Sequence, residues 1–250
     1  MEPQQNQTVA FLQSILNAAV GPGATPGQIQ RVQLWDLYST LPMYNDSDLF
    51  GKNATLFSFK ANDVVSGPGF ITTSPAYKAT IADTNIDSPG NIPFDMFMHG
   101  LSFELINRQL VPGIVGTAND LAFWSTAKAA YLSDTALSLN INNLDVDILP
   151  VLEAPAGAGL WGSFSQGTSA ALTAGASQST TSNGWPSAGN YRNYANEGPF
   201  FFPKNTTIKA KIDFGNAWVA ANAVYKPVNT GTAAIFLKCT LRGFRIWYAQ

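Results

Sequence analysis

His99 and Cys239 are the only histidine and the only cysteine in the sequence, so they bound the chemistry open to it. Nucleophilic catalysis needs a serine or cysteine with a base close by, and His99 is the only imidazole to serve as that base. It stands in FMHGLSF, in line with Phe97, Leu101 and Phe103. That spacing predicts a packed or hydrogen-bonded core histidine rather than a general base. Cys239 falls on the apolar face of a strand near the C-terminus, where a free thiol behaves as a small buried hydrophobe. A single cysteine allows no intrachain disulfide and no cysteine-cluster zinc site, and a single histidine excludes H-E-x-x-H. GSFSQG (162–167) lacks the spacing of a nucleophile elbow. AGAGLWG (156–162) lacks the lysine of a phosphate loop.

Paired carboxylates are the next option. Glutamates are few, Glu2 is near the terminus, and Glu104 alternates away from the apolar face of its strand, which argues against a glycosidase pair. Asp145 and Asp147, with Asn142 and Asn143 beside them, are candidate oxygen ligands for calcium. Their spacing is not that of a D-x-D-x-D-G loop, and a solvated strand edge or turn is the default expectation. The aromatic residues Trp161, Phe164, Trp185, Tyr191 and Tyr194 lie in a loop-rich stretch. They suit stacking on a sugar or anchoring an interface, and the sequence leaves both readings open.

Composition narrows the partners. Of 250 residues, 46% are apolar and only 12% charged, about half the usual soluble share of roughly 25%. With 14 basic and 16 acidic side chains, the formal net charge is −2, which excludes a dominant basic nucleic-acid surface. A low-charge, aromatic-rich chain also collapses rather than staying disordered. A surface with so little self-repulsion suits an assembly better than a free monomer. No run approaches 18 consecutive apolar residues, and the N-terminal stretch lacks the basic start of a secretory signal.

The elements that would position these residues follow from periodicity. Val9, Leu12, Ile15, Leu16 and Ala19 recur at helical spacing, and GPGATPGQ (21–28) stops the helix. Residues 1–30 therefore read as a helical arm and hinge, although a helix packed on the body is the equal alternative. From residue 31 onward the pattern is β, in one body over 31–250 or two barrels. In 208–214, Ile208, Ala210, Ile212 and Phe214 alternate with Lys209, Lys211 and Asp213. In the last segment Ile235, Leu237, Cys239 and Leu241 share a face, after which Phe244 and Ile246 take the opposite parity. A glycine, Gly243, at that change predicts a bulge or bend. Further strands are expected over 55–60, 97–106 and 136–142, a helix or else a loop plus an edge strand over 118–132, and long loops over 154–196. Many short strands with few helices define an all-β sandwich or barrel.

In this order, FMHGLSFELI, ALSLNINNLDVDILPVLEAP, AGAGLWG, GPFFFPKNTTIKAKIDF and AIFLKCTLRGFRIWYAQ resemble segments of the jelly-roll capsid proteins of tailless icosahedral phages, over residues 94–250. The resemblance implies an eight-stranded jelly-roll β-sandwich of two antiparallel sheets with an N-terminal helical arm. It also implies a major capsid subunit without catalytic site or cofactor, made in the host cytoplasm and carried in the virion. Such a subunit assembles with copies of itself through trimeric or pseudo-hexameric capsomers and touches other virion proteins. Phe11, Leu12, Ile15 and Leu16 in the arm, and Trp161, Phe164, Trp185, Tyr191 and Tyr194 in the loops, are then the expected subunit contacts. The arm is expected to reach a neighbour, an inner membrane or the genome. A receptor- or carbohydrate-binding β-sandwich of a spike or fibre is the alternative.

Overall fold

A computed structural model describes residues 3–20, 28–43, 51–65, 78–109, 134–154, 191–194, 199–216 and 233–249. The expected helix over 118–132, most of the loop-rich stretch, and Trp161, Phe164 and Trp185 lie outside these residues. Within them the chain is mostly β, with two antiparallel sheets packed together and one N-terminal helix.

Helix α1 spans Pro3–Val20. Pro3 suits a first helical turn, where its missing N–H would have no intrahelical partner. The strands follow as β1 (Ile29–Leu34), β2 (Leu37–Met43), β3 (Asn53–Leu56), β4 (Met96–Gln109), β5 (Thr135–Ile141), β6 (Leu144–Pro150), β7 (Arg192–Asn193), β8 (Phe200–Phe202), β9 (Ile208–Phe214) and β10 (Ala233–Tyr248). The larger sheet has the order β1-β10-β4-β7, with β2 also pairing with β10 and β8 with β4. The smaller has the order β3-β9-β5-β6. β1 and β2 lie along the same edge of β10, pairing with its residues 244–248 and 235–241 in turn. β7 and β8 share the far edge of β4 in the same way. Each pair thus acts as one interrupted strand, leaving eight strand positions.

Period-2 patterning decides which side chains meet between the sheets. β5 and β9 bury every second residue, so Leu137, Leu139, Ile141, Ile208, Ala210, Ile212 and Phe214 face Leu37, Met98, Leu101, Phe103, Leu237, Cys239 and Leu241 of the larger sheet. Burial of the Cys239 thiol raises its pKa well above the ordinary range, so it packs as an apolar side chain. β5 and β6 form a hairpin whose corner residues, Asn142 and Asn143, have φ of 51° and 63°. Two successive positive φ values match the twist of the strands, and asparagine tolerates them.

One expectation about strands needs correcting. The strand expected over 55–60 ends at Leu56, because Phe57 takes φ 62° and turns the chain. Its N–H is bonded to Ser39 Oγ at 2.9 Å, and its carbonyl accepts from Gly90 N at 2.7 Å. The irregularity expected at Gly243 is present. The register between β4 and β10 does shift there, but the extra residue is His99 on β4: Gly100 pairs with Arg242 and Met98 with Gly243. Apolar residues change parity on β10 because the cover changes. Up to Leu241 the inner face is buried by the smaller sheet, whereas Ile246 is buried on the outer face beneath α1.

Candidate functional site

The outer face of the larger sheet carries a second core. Leu12 and Leu16 of α1 are buried against Ile29 and Val32 of β1, Phe97 of β4 and Ile246 of β10, with Val9, Ile15, Phe201, Phe244 and Tyr248 around them. The helical spacing of the apolar stripe makes this contact possible. Gln13 fixes the approach, its side-chain oxygen accepting from Ile29 N at 2.7 Å. The helix, expected either as an arm or as packed on the body, makes this contact within its own chain. Of its expected contact residues, Leu12 and Leu16 are occupied within the chain, Ile15 is half-buried, and Phe11 is 55% exposed.

Beside this core a groove of about 450 Å³ opens between α1 and the sheet, lined by Gln7, Thr8, Phe11, His99, Pro199 and Phe244 among others. His99 reaches it because of the bulge. Met98 still faces the inner core, whereas His99 turns outward to Phe244, with ring centroids 5.3 Å apart, and to Tyr191 at 5.8 Å. Of the residues set in line with it by sequence, Phe97 does share its outer side, whereas Leu101 and Phe103 face the inner core. The Tyr191 ring covers Gly100, where any Cβ would overlap it, and stacks under the Arg242 guanidinium at 5.4 Å. Arg242 in turn pairs with Asp36 at 3.3 Å. Burial lowers the His99 pKa below its ordinary 6.5, with Asp36 acting upward and Arg242 downward.

Tyr191 and Tyr194, adjacent in the loop reading, end on opposite faces. Tyr194 is 2% exposed in the inner core, its ring edge-on to Phe200. Its hydroxyl donates to Asp147 Oδ2 at 2.5 Å, with Arg192 Nε 3.6 Å from the same oxygen. Burial, then the hydrogen bond and charge of Asp147, raise the phenol's pKa far above its ordinary value, so it stays a donor. Tyr194 thus ties the edge of one sheet to the edge strand β6 of the other and presents no surface for a sugar. We expect Tyr194→Phe to lower stability by about 1.5–3 kcal/mol, the range for hydrogen bonds to a charged group. Chemical denaturation checks this; an unchanged midpoint would mean the bond contributes nothing.

Asp145 and Asp147 do not come together as calcium ligands. Asp147 is held by Tyr194 and Arg192, while the exposed Asp145 accepts from Asn140 Nδ2 at 3.1 Å. A bulge between Leu139 and Asn140 offsets the two, and Asn142 and Asn143 are used by the hairpin corner. Among the described residues no group of three His, Cys, Asp or Glu could hold a metal ion. No described helix is long and apolar enough to cross a membrane.

Sequence reasoning missed one cluster. Arg245 lies within 4.6–5.7 Å of the ring centroids of Phe94, Trp247 and Trp35, and Arg31 stacks on Trp247 at 5.4 Å. The parity of β10 beyond Gly243 was its only signal. Cation–π contacts of this kind contribute about 0.5–2 kcal/mol each, and Trp35 and Phe94 pack against the inner core. Comparison with protein-family models, curated proteins and solved structures finds no match.

Proposed function

We propose that this chain is a jelly-roll capsid subunit, working by packing against copies of itself. The strand order carries the reading. With β1 and β2 counted as one position and β7 and β8 as another, the sheets run 1-8-3-6 and 2-7-4-5. The hydrogen-bonded pairs 1·8, 2·7, 3·6 and 4·5 match those expected of one long antiparallel ribbon rolled over itself, which supports reading the sandwich as a jelly roll. That architecture recurs in viral capsids and also in lectins and cupins, so the order alone does not choose among functions.

The capsid reading takes further support from the surface. Large apolar side chains stand out from the single chain at Phe11, Leu34, Ile81, Leu144 and Ile148, while charges are few. Such a surface suits burial between many copies, with specificity from shape and hydrogen bonds. The partners we propose are identical subunits in trimeric capsomers, other virion proteins, and an inner membrane or genome at the N-terminal end. Because α1 covers its own sheet, contact with a neighbour falls to its exposed Phe11 side and to the loops.

Light scattering on the full purified chain tests this. Trimers that grow into shells or sheets are expected, whereas a solitary monomer at every concentration would overturn the reading. A discrete trimer that binds glycans would favour the receptor-head alternative. Assembly is further expected to change only modestly between low and moderate salt, since few charges are available to be screened. Complete dissociation over that range would contradict it.

A further inference from the structure

We propose that His99 makes the seat of α1 acid-sensitive: protonation of this imidazole loosens the helix from the outer face of the larger sheet. The proposal rests on the placement of His99 and is independent of the capsid reading. His99 is the chain's sole histidine, the side chain whose ordinary pKa lies closest to neutrality. The β4 bulge turns it out of the inner core and into the groove beneath α1, beside Gln7, Thr8, Phe11 and Phe244.

What faces the ring decides the sign. Helix α1 has no charged residue anywhere along Pro3–Val20, so it offers an imidazolium no counter-ion. From β10 comes Arg242, of like charge; from the link between β1 and β2 comes Asp36, already paired with Arg242 at 3.3 Å. The segment leading into β7 contributes the Tyr191 ring, and β10 the Phe244 ring. Burial among these groups favours the neutral ring, consistent with its lowered pKa. A base held neutral in the closed state and hydrated in the open one binds protons more tightly when open, so acid shifts the equilibrium toward opening. The face then exposed would be Val9, Leu12, Ile15 and Leu16, a stripe suited to another apolar surface.

Amide exchange on the full chain, corrected for the chemical rate at each pH, tests the proposal. Exchange within residues 3–20 is expected to rise at least about threefold from pH 7.5 to pH 5.0, while residues 208–214 stay unchanged. His99→Gln and His99→Phe, which cannot take up the proton, are both expected to abolish the rise. His99→Lys is expected to show fast exchange at both pH values. A wild-type helix equally protected at both pH values would overturn the proposal. So would a rise that persists in His99→Gln or, should that variant fold poorly, in His99→Phe.

Discussion

Gly243→Val is expected to yield no soluble folded chain, and Gly243→Ala to lose about 3 kcal/mol, the upper end for overpacking a close contact. Gly243 sits on β10, the strand that pairs with β1, β2 and β4 and so joins the larger sheet. A Cβ there would collide with the backbone carbonyl of Phe97 and with Met96 Cε. Met96 could shift, but the carbonyl belongs to β4, whose pairing with β10 runs from Met96 to Gln109. Gly243 is not at positive φ, so an added methyl meets only a steric obstacle. For a domain stable by about 5–15 kcal/mol, an alanine is survivable and a β-branched side chain is not. Urea denaturation of Gly243→Ala measures the cost; an unchanged midpoint would show that the strands do not approach so closely.

Leu16→Ala is expected to destabilise the dissociated chain by about 2–5 kcal/mol, the range for removing a buried leucine side chain. Leu16 is 1% exposed, closed in by the chain's own β1, β4 and β10. Measured at a concentration where the protein is a monomer, this loss separates two roles for α1. If the helix belongs to its own body, as the packing shows, the loss appears without any partner. If it serves only a neighbouring copy, monomer stability stays constant and assembly alone suffers. Leu12→Ala should match it, whereas Phe11→Ala should leave stability within about 0.5 kcal/mol, as expected of an exposed site.

The contrast between α1 and β4 shows what was legible in the sequence. The stripe Val9, Leu12, Ile15, Leu16 announces a helix and the face it buries, because helical periodicity is a local property. The alternation in 208–214 announces β9 for the same reason. His99 was misplaced because its face depends on one extra residue opposite Arg242, and a bulge is fixed by both strands together. From β10 alone the irregularity could be sensed at Gly243 but not assigned to its neighbour. Phe57 ended β3 early through contacts with Ser39 and Gly90, distant in sequence. Of the candidate contacts, Tyr191 and Tyr194 looked equivalent as loop aromatics. A two-residue strand between them sends one ring outward over Gly100 and the other inward to Asp147. Asp145 and Asp147 were separated by a bulge in the same way. Strand patterns were thus readable, while pairing irregularities, which place functional side chains, were not.

Self-assembly is the proposed role on which the functional reading of this chain rests. Electron microscopy of the full chain, concentrated under near-physiological conditions, tests it most directly. Closed shells or extended sheets built from repeating capsomers are expected. Fields containing only isolated single-chain particles, at every concentration up to the solubility limit, would contradict it.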